Sequence, residues 1–289
     1  MSDEERPLYR TVTARPIAFV TGASRGIGAA TAVALAEAGF DLAITARGLE
    51  EGEEHEHGTW RSDTRALQGS LRATQSRIEA VGARCLSMRS DILEPDTVRA
   101  ALEQTHAEYG RIDLLFNNAC YQGPGNQQRL LDVSVEQLAA IYQGNVMTPL
   151  LAVQQVLPGM LERSTGMVIN MVSGSAVNAP PAPADQGGWG FAYPSSKAAL
   201  LRMVLSLRVE HADTGLRFFN VEPGFVYTEV MRANNFGEAE AARFNPSQSE
   251  DIARVITWLA TNADAERYYD KEVVYAPQLF ERLSDEGVF

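Results

Sequence analysis

The sequence predicts an α/β fold, a doubly wound parallel sheet of about seven strands with helices on both faces. Three observations carry this. Short apolar runs alternate with helix-like stretches from Ile17 to Tyr275. No internal repeat or linker interrupts the series, so the 289 residues read as a single domain. The first apolar run, Ile17–Val20, passes directly into Thr21-Gly22-Ala23-Ser24-Arg25-Gly26-Ile27-Gly28 and an Ala-rich segment. Such a strand–turn–helix junction makes a phosphate pocket, because glycines allow a tight turn and the helix start offers unpaired N–H groups.

The elements follow in order. After the strand at 17–20, a helix from about Gly26 to Ala38 places Ile27, Ala30, Ala34 and Ala38 on one face, and Gly39 ends it. Asp41–Ala46 is the second strand. Residues 50–63 are acidic and aperiodic, and read as a solvent-exposed insertion. Leu67, Leu71, Thr74, Ile78 and Val81 recur at helical spacing up to Gly82, before a third strand at Arg84–Met88. Pro95 suits a first helical position, and Gly110 closes that helix. Ile112–Phe116 is a buried strand. Ser134 with Gln137 forms a capping box for a long helix to about Leu161. Met167–Val172, Leu216–Val221 and Val273–Tyr275 complete the strands, with a helix at Tyr193–His211 between the first two. Residues 178–192, rich in Pro, Gly and Ala, form a loop.

Composition narrows the function classes. At 45% hydrophobic and 21% charged, the chain has the means to build a core. A net charge of −12 argues against nucleic-acid partners and anionic membrane surfaces. Residues 1–14 are a polar extension without the apolar core of a signal peptide, and the expected location is cytoplasmic. Cys85 and Cys120 have no metal-type spacing, and unpaired thiols are the simpler expectation. His55 and His57 without a third ligand nearby read as a polar loop, so no metal is expected.

Tyr193 and Lys197 are four residues apart, on one helix face. A free phenol has a pKa near ~10, and an adjacent ammonium favours its ionised form. Ser173, directly after the fifth strand, can hold a substrate oxygen beside it, with Ser175 as a near competitor. Alone, such a Tyr–Lys pair is an ordinary helix-surface pair. Likewise the G-x-x-x-G-x-G spacing of Gly22, Gly26 and Gly28 differs from the G-x-G-x-x-G of many dinucleotide folds and by itself leaves the family open.

Taken in chain order, however, the motifs resemble the short-chain dehydrogenase/reductase family, in its single-domain Rossmann-type branch. They are Thr21-Gly22-x-x-x-Gly26-x-Gly28, Asp91, Asn117-Asn118-Ala119, Asn145, Ser173, Tyr193 with Lys197, and Pro223-Gly224 followed by Thr228. The resemblance covers about residues 14–276 and implies roles. Tyr193 is the general acid/base, Lys197 lowers its pKa and binds the nicotinamide ribose, Ser173 polarises the carbonyl, and Asn145 supports a proton relay. Asp91 and Ile92 contact the adenine end. Gly22, Ser24, Arg25, Gly26, Ile27 and Gly28 hold the phosphates, and Asn118-Ala119 lines the cleft. Asn117 stabilises the central sheet. Pro223, Gly224, Val226 and Thr228 place the carboxamide. The resemblance also implies a homotetramer or homodimer through helices around 138–161 and 198–210.

The coenzyme preference is read at the end of the second strand, where an acid would bind a ribose 2′-hydroxyl and a cation a 2′-phosphate. Here stand Ala46-Arg47, with Arg25 in the glycine turn, favouring NADP(H) over NAD(H). Glu50 and Glu51 nearby blunt that preference. Cys120 departs from the family, which carries Gly at that position. Segments 178–192 and 225–245, with Trp189, Phe191, Phe225, Tyr227, Phe236 and Phe244, are expected to shape the substrate mouth for an apolar ketone or secondary alcohol. Alternatives are a 3-oxoacyl-carrier-protein reductase, disfavoured by the acidic charge, and a non-catalytic NADP(H)-binding regulator.

Overall fold

The structure, a computed structural model, describes residues 15–234 and 245–289. Phe236 and Phe244 lie outside the described residues. Seven strands form one parallel sheet in the order β3-β2-β1-β4-β5-β6-β7. They are β1 (Ile17–Thr21), β2 (Asp41–Ala46), β3 (Cys85–Arg89), β4 (Leu114–Asn117), β5 (Gly166–Met171), β6 (Leu216–Glu222) and β7 (Val274–Tyr275). The register places Val20 between Ile44 and Phe116. The order reverses between β1 and β4, so the crevice opens beyond the carboxyl ends of these two strands.

Side chains alternate across the sheet, as the two-residue period of a strand requires. Ala18 and Val20 join Leu42, Ile44, Phe116, Ile169 and Phe219 in one core layer. Phe19 joins Ala43, Leu115, Val168 and Phe218 in the other. The first layer is closed by α1 (Gly26–Glu37), α2 (Leu71–Ala80) and two C-terminal helices, α8 (Ser249–Thr261) and α9 (Ala276–Asp285). The second is closed by α3 (Pro95–Tyr109), α5 (Thr148–Arg163) and α6 (Ala192–Glu210). The remaining α-helices among the described residues are α4 (Val135–Tyr142) and α7 (Glu229–Ala233).

Four expectations are corrected. Helix α1 is not buried along one face: Gly28 through Val33, Leu35 and Ala36 are all buried, while Ala38 is exposed, because α8 packs against α1 in addition to the sheet. Helix α2 begins at Leu71, not near Leu67; the Ser70 side chain accepts from Ala73 N and caps it, after Gly69 turns the chain at φ 103°. The long helix opened by the Ser134–Gln137 capping box is interrupted by a π-helical segment at Gln143–Met147 that joins α4 to α5. Segment 50–63 is only partly solvent-exposed. It belongs to a folded loop reaching Ser70, in which the Glu56 carboxylate accepts Gly58 N and Asp63 N, His57 is buried, and Glu54 bridges to Ala66.

Among the described residues no helix is long and apolar enough to cross a membrane.

Candidate active site

The glycine turn is fixed by its close contacts. Gly22 has φ +69°, and a Cβ there would lie 2.9 Å from Ala119 Cα. A Cβ on Gly28 would lie 2.2 Å from Gly22 O and 2.5 Å from Asn118 Nδ2. Asn118 supports this turn: its Nδ2 donates to Thr21 O at 2.9 Å and Gly22 O at 3.2 Å. Thr21 Oγ1 accepts both Asn118 N and Ala119 N at 3.0 Å. The first turn of α1 carries no acidic residue, and Arg25, its N-cap, makes no side-chain cap. Its N–H groups therefore face the crevice uncompensated, the electrostatics an anionic phosphate requires.

The crevice is a cleft lined by Gly22, Ser24, Arg25, Gly26, Ile27, Gly28, Arg47, Asp91, Ile92, Asn118, Ala119 and Thr228. Tyr193, Lys197, Pro223, Gly224 and Val226 are not part of that lining. Val226 is a buried core residue, and Gly224, at φ +68°, packs toward Pro277. Asp91 Oδ1 accepts Leu93 N at 2.9 Å, which orders the turn after β3. Thr228 caps α7 by accepting from Met231 N.

At the outer end of the cleft Arg25, Arg47 and His55 converge. Arg25 donates to the carbonyls of Leu67, Gln68 and Gly69, so part of its guanidinium is committed to the inserted loop. Burial lowers its pKa, opposed by Glu229 and lowered further by Arg47. Arg47 donates to Glu56 O at 2.5 Å. The His55 imidazole is held below its ordinary pKa by burial first and then by Arg47, against the Glu53 carboxylate 3.2 Å away. Sequence reading placed His55 in a polar loop and missed it as a lining residue.

The inserted loop also reaches the opposite wall. Asn234 Oδ1, just beyond α7, accepts Thr59 N and Thr59 Oγ1, and its Nδ2 donates to His57 O. Arg65 donates to Ala233 O. Gln128 Nε2 donates to Trp60 O.

The catalytic candidates gather at the ends of β5 and β6. Ser173 faces the Tyr193 phenol closely enough to lower its pKa. Ser175 donates its N–H and hydroxyl to Ser173 Oγ at 3.3 and 3.0 Å, so Ser175 serves Ser173 rather than replacing it. Lys197 Nζ lies 5.8 Å from the Tyr193 ring centroid and donates to Met171 O at 2.8 Å. The expectation that the ammonium lowers the phenol pKa is not met. Burial raises the Tyr193 pKa above its ordinary value, with Cys120 and Glu222 adding to the rise and only Ser173 lowering it. The ammonium is held against a carbonyl instead.

Asn145 is fully buried inside the π segment. Its Oδ1 accepts Tyr121 N at 2.7 Å and its Nδ2 donates to Ser196 Oγ at 3.0 Å. The helix is locally deformed there, and the side chain fastens it to α6 beside Tyr193. Asn117 Nδ2 donates to Asn170 Oδ1, and Asn170 and Asn220 Nδ2 donate to Leu200 O and Leu201 O of α6. The register sets Asn117, Asn170 and Asn220 side by side across β4, β5 and β6. Sequence reading missed Asn170 and Asn220.

Cys120 and Cys85 are both free, and Cys120 lines the cleft. Among the described residues no group of three or more His, Cys, Asp or Glu is placed to hold a metal ion. A second cleft beside the catalytic turn is lined by Arg129, Ser175, Asn178, Trp189, Phe191 and Ser195, among others, so it draws on the 178–192 loop.

Fold and site together define an NAD(P)-dependent oxidoreductase with a Rossmann-type sheet. The family profile described as short chain dehydrogenase matches residues 16–69 and 62–239, and the chain belongs to that family. An uncharacterized oxidoreductase, YhdF, from Bacillus subtilis is 30% identical over 217 residues, 75% of this chain and 65% of that protein. The 3-oxoacyl-[acyl-carrier-protein] reductase FabG of Staphylococcus aureus is 25% identical over 265 residues, covering 89% of this chain and 95% of that one. A metagenomic short-chain oxidoreductase solved in complex with NADP superposes at a TM-score of 0.66, with 29% identity, over 86% of this chain and 92% of that chain.

Proposed function

We propose that the protein transfers a hydride between NADP(H) and a small, largely apolar ketone or secondary alcohol, with Tyr193 as the general acid/base. The facing of Ser173 and Tyr193, near a cleft lined by the glycine turn at the start of α1, carries this reading. A bound nicotinamide coenzyme supplies the redox chemistry; the protein supplies position and electrostatics.

In reduction, Ser173 holds the carbonyl oxygen and Tyr193 donates the proton that completes the alcohol. In oxidation the phenolate removes it. Lys197 and Asn145 keep α6 and its phenol in register.

Arg47, Arg25 and His55 at the outer end support NADP(H), since guanidinium groups bind a 2′-phosphate well. The NADP-bound relative is in accord with this. Trp189 and Phe191 of the second cleft favour an apolar body for the substrate, while Arg129 and Asn178 supply polar contacts on its rim. The net charge of −12 disfavours an acidic carrier protein as the substrate's bearer. Val135, Met147 and Leu150 are exposed on the α4–α5 rod and Val209 on α6, a distribution that supports a homo-oligomer through these helices.

The test follows NADPH absorbance with a panel of ketones. Wild-type protein turns over at least one, and Tyr193→Phe loses turnover while still binding NADPH. Coenzyme binding without turnover on any carbonyl compound refutes the reading and favours a binding protein.

A further inference from the structure

We propose that Glu222 is a positioning residue of the reaction: its carboxylate ties the Ser173–Gly174–Ser175 turn to the Pro223–Gly224 turn and so fixes Ser173 against Tyr193. The proposal rests on the roles given above to those two residues.

Glu222 is the last residue of β6. Met171, the last residue of β5, pairs with Val221, so the chains leaving the two strands run side by side. One bears Ser173 and the other bears the turn toward Thr228. Glu222 Oε1 accepts Gly174 N at 3.2 Å, and the same carboxylate accepts the backbone N–H of Gly224. The serine turn is gripped from its other side by Asn178, whose Nδ2 donates to Gly174 O at 2.8 Å. Gly174 is thus held through both its N–H and its carbonyl. Ser175 fills the acceptor side of Ser173 Oγ, which leaves the hydroxyl hydrogen of Ser173 for an oxygen in the site.

A carboxylate brought out of water is retained only where it is well bonded. Here burial raises its pKa, and the two backbone donors lower it again. Two N–H groups from two separate turns on one carboxylate make a crosslink. The groups that face the Tyr193 phenol are Cys120 after β4, Lys197 on its own helix, Ser173 after β5 and Glu222 after β6. The charge of Glu222 opposes that of a phenolate, so Glu222 leaves two marks: it sets where Ser173 lies, and it raises the pH at which the phenol ionises.

The experiment compares wild type, Glu222→Gln, Glu222→Asp and Tyr193→Phe in steady-state ketone reduction with NADPH across pH, with the coenzyme dissociation constant measured in parallel. Glu222→Gln keeps size and removes the charge. Its kcat is expected to fall roughly tenfold through misplacement of Ser173, with the coenzyme constant unchanged. Its alkaline limb moves to lower pH by about half a unit to one unit as the opposing charge is lost. Glu222→Asp keeps the charge and loses the reach to Gly174, so kcat falls and the limb stays. A Glu222→Gln protein with wild-type kcat overturns the proposal, as does one whose kcat falls with the limb unmoved. Should Glu222→Gln not fold, a Glu222→Asp protein with wild-type kcat overturns it equally. Failure of the underlying reading is seen separately, as full activity in Tyr193→Phe.

Discussion

Asn234 Oδ1 accepts the Thr59 N–H at 2.9 Å and the Thr59 hydroxyl at 3.1 Å, joining residues 175 positions apart in sequence. The amide returns Nδ2 to His57 O at 2.9 Å, so one side chain spans from the end of α7 to two residues of the inserted loop. That loop carries His55 at the outer end of the cleft, and α7 starts from Thr228 on the same cleft. The two walls are therefore mechanically joined. Asn234→Ala removes four hydrogen bonds, three to the inserted loop and one to Val230 O, each worth about 1 kcal/mol net. The Michaelis constants for coenzyme and ketone are both expected to rise, roughly tenfold, with kcat little changed. A rise confined to one substrate shows that the two walls move independently.

Arg47 is the residue expected to separate the two coenzymes. Its guanidinium faces the outer end of the cleft and is held by Glu56 O. Charge-assisted bonds to phosphate contribute about 1.5–3 kcal/mol, so Arg47→Ala is expected to weaken NADPH roughly ten- to a hundredfold and leave NADH nearly unchanged. Fluorescence titration with each coenzyme measures the ratio. An unchanged ratio removes Arg47 from the preference. His55→Ala, measured in the same way, shows whether the imidazole adds to it.

What could be read from the sequence was local. The seven strands and the glycine turn follow from short runs and spacings within about ten residues, where a strand period or a tight turn is written directly in residue type. Tyr193 and Lys197 are legible for the same reason, being one helical turn apart. The unread features are all long-range. Asn145 sits in a π segment because its side chain meets Tyr121 N and Ser196, partners on other elements. Asn170 and Asn220 look like polar interruptions of apolar strands until pairing sets them beside Asn117. His55 belongs to a stretch without periodicity, so only the folded loop reveals which way it faces. The rise in the Tyr193 pKa comes first from burial, which the sequence does not give at one residue, while the Lys197 ammonium is bonded to Met171 O.

The asparagine row predicts a stability effect. Asn170 Oδ1 accepts Asn117 Nδ2 at 2.9 Å, and its own Nδ2 donates to Leu200 O at 3.2 Å, all of it buried. Asn170→Ala strands the buried Asn117 donor, costing about 1–3 kcal/mol, and removes the second bond to the Leu200 carbonyl, worth about 1 kcal/mol more. Urea melts are expected to show a loss of about 2–4 kcal/mol. Leu200 lies one turn beyond Lys197, so kcat falls as well. A melt within error of wild type shows that the row is not holding α6.

Alkaline pH tests two partly buried acids, Cys85 packed against the first core layer and Tyr109 against the second. Burial pushes the Cys85 thiol up to about 12, and the Tyr109 phenol, which donates to Leu42 O, is also raised to about 12. Both pKa values lie above those of the unfolded chain, where a thiol titrates near ~8.5 and a phenol near ~10. Above those values the unfolded state loses protons that the folded state retains, so stability falls as pH rises. The contribution of Cys85 is complete below pH ~8.5 and is lost progressively toward about 12. Urea midpoints between pH ~8 and ~11 are expected to drop for the wild type. Cys85→Ala starts lower, from lost packing, but descends less steeply because the thiol no longer titrates on unfolding. Parallel slopes for the two proteins show that Cys85 is as open to solvent as in the unfolded chain.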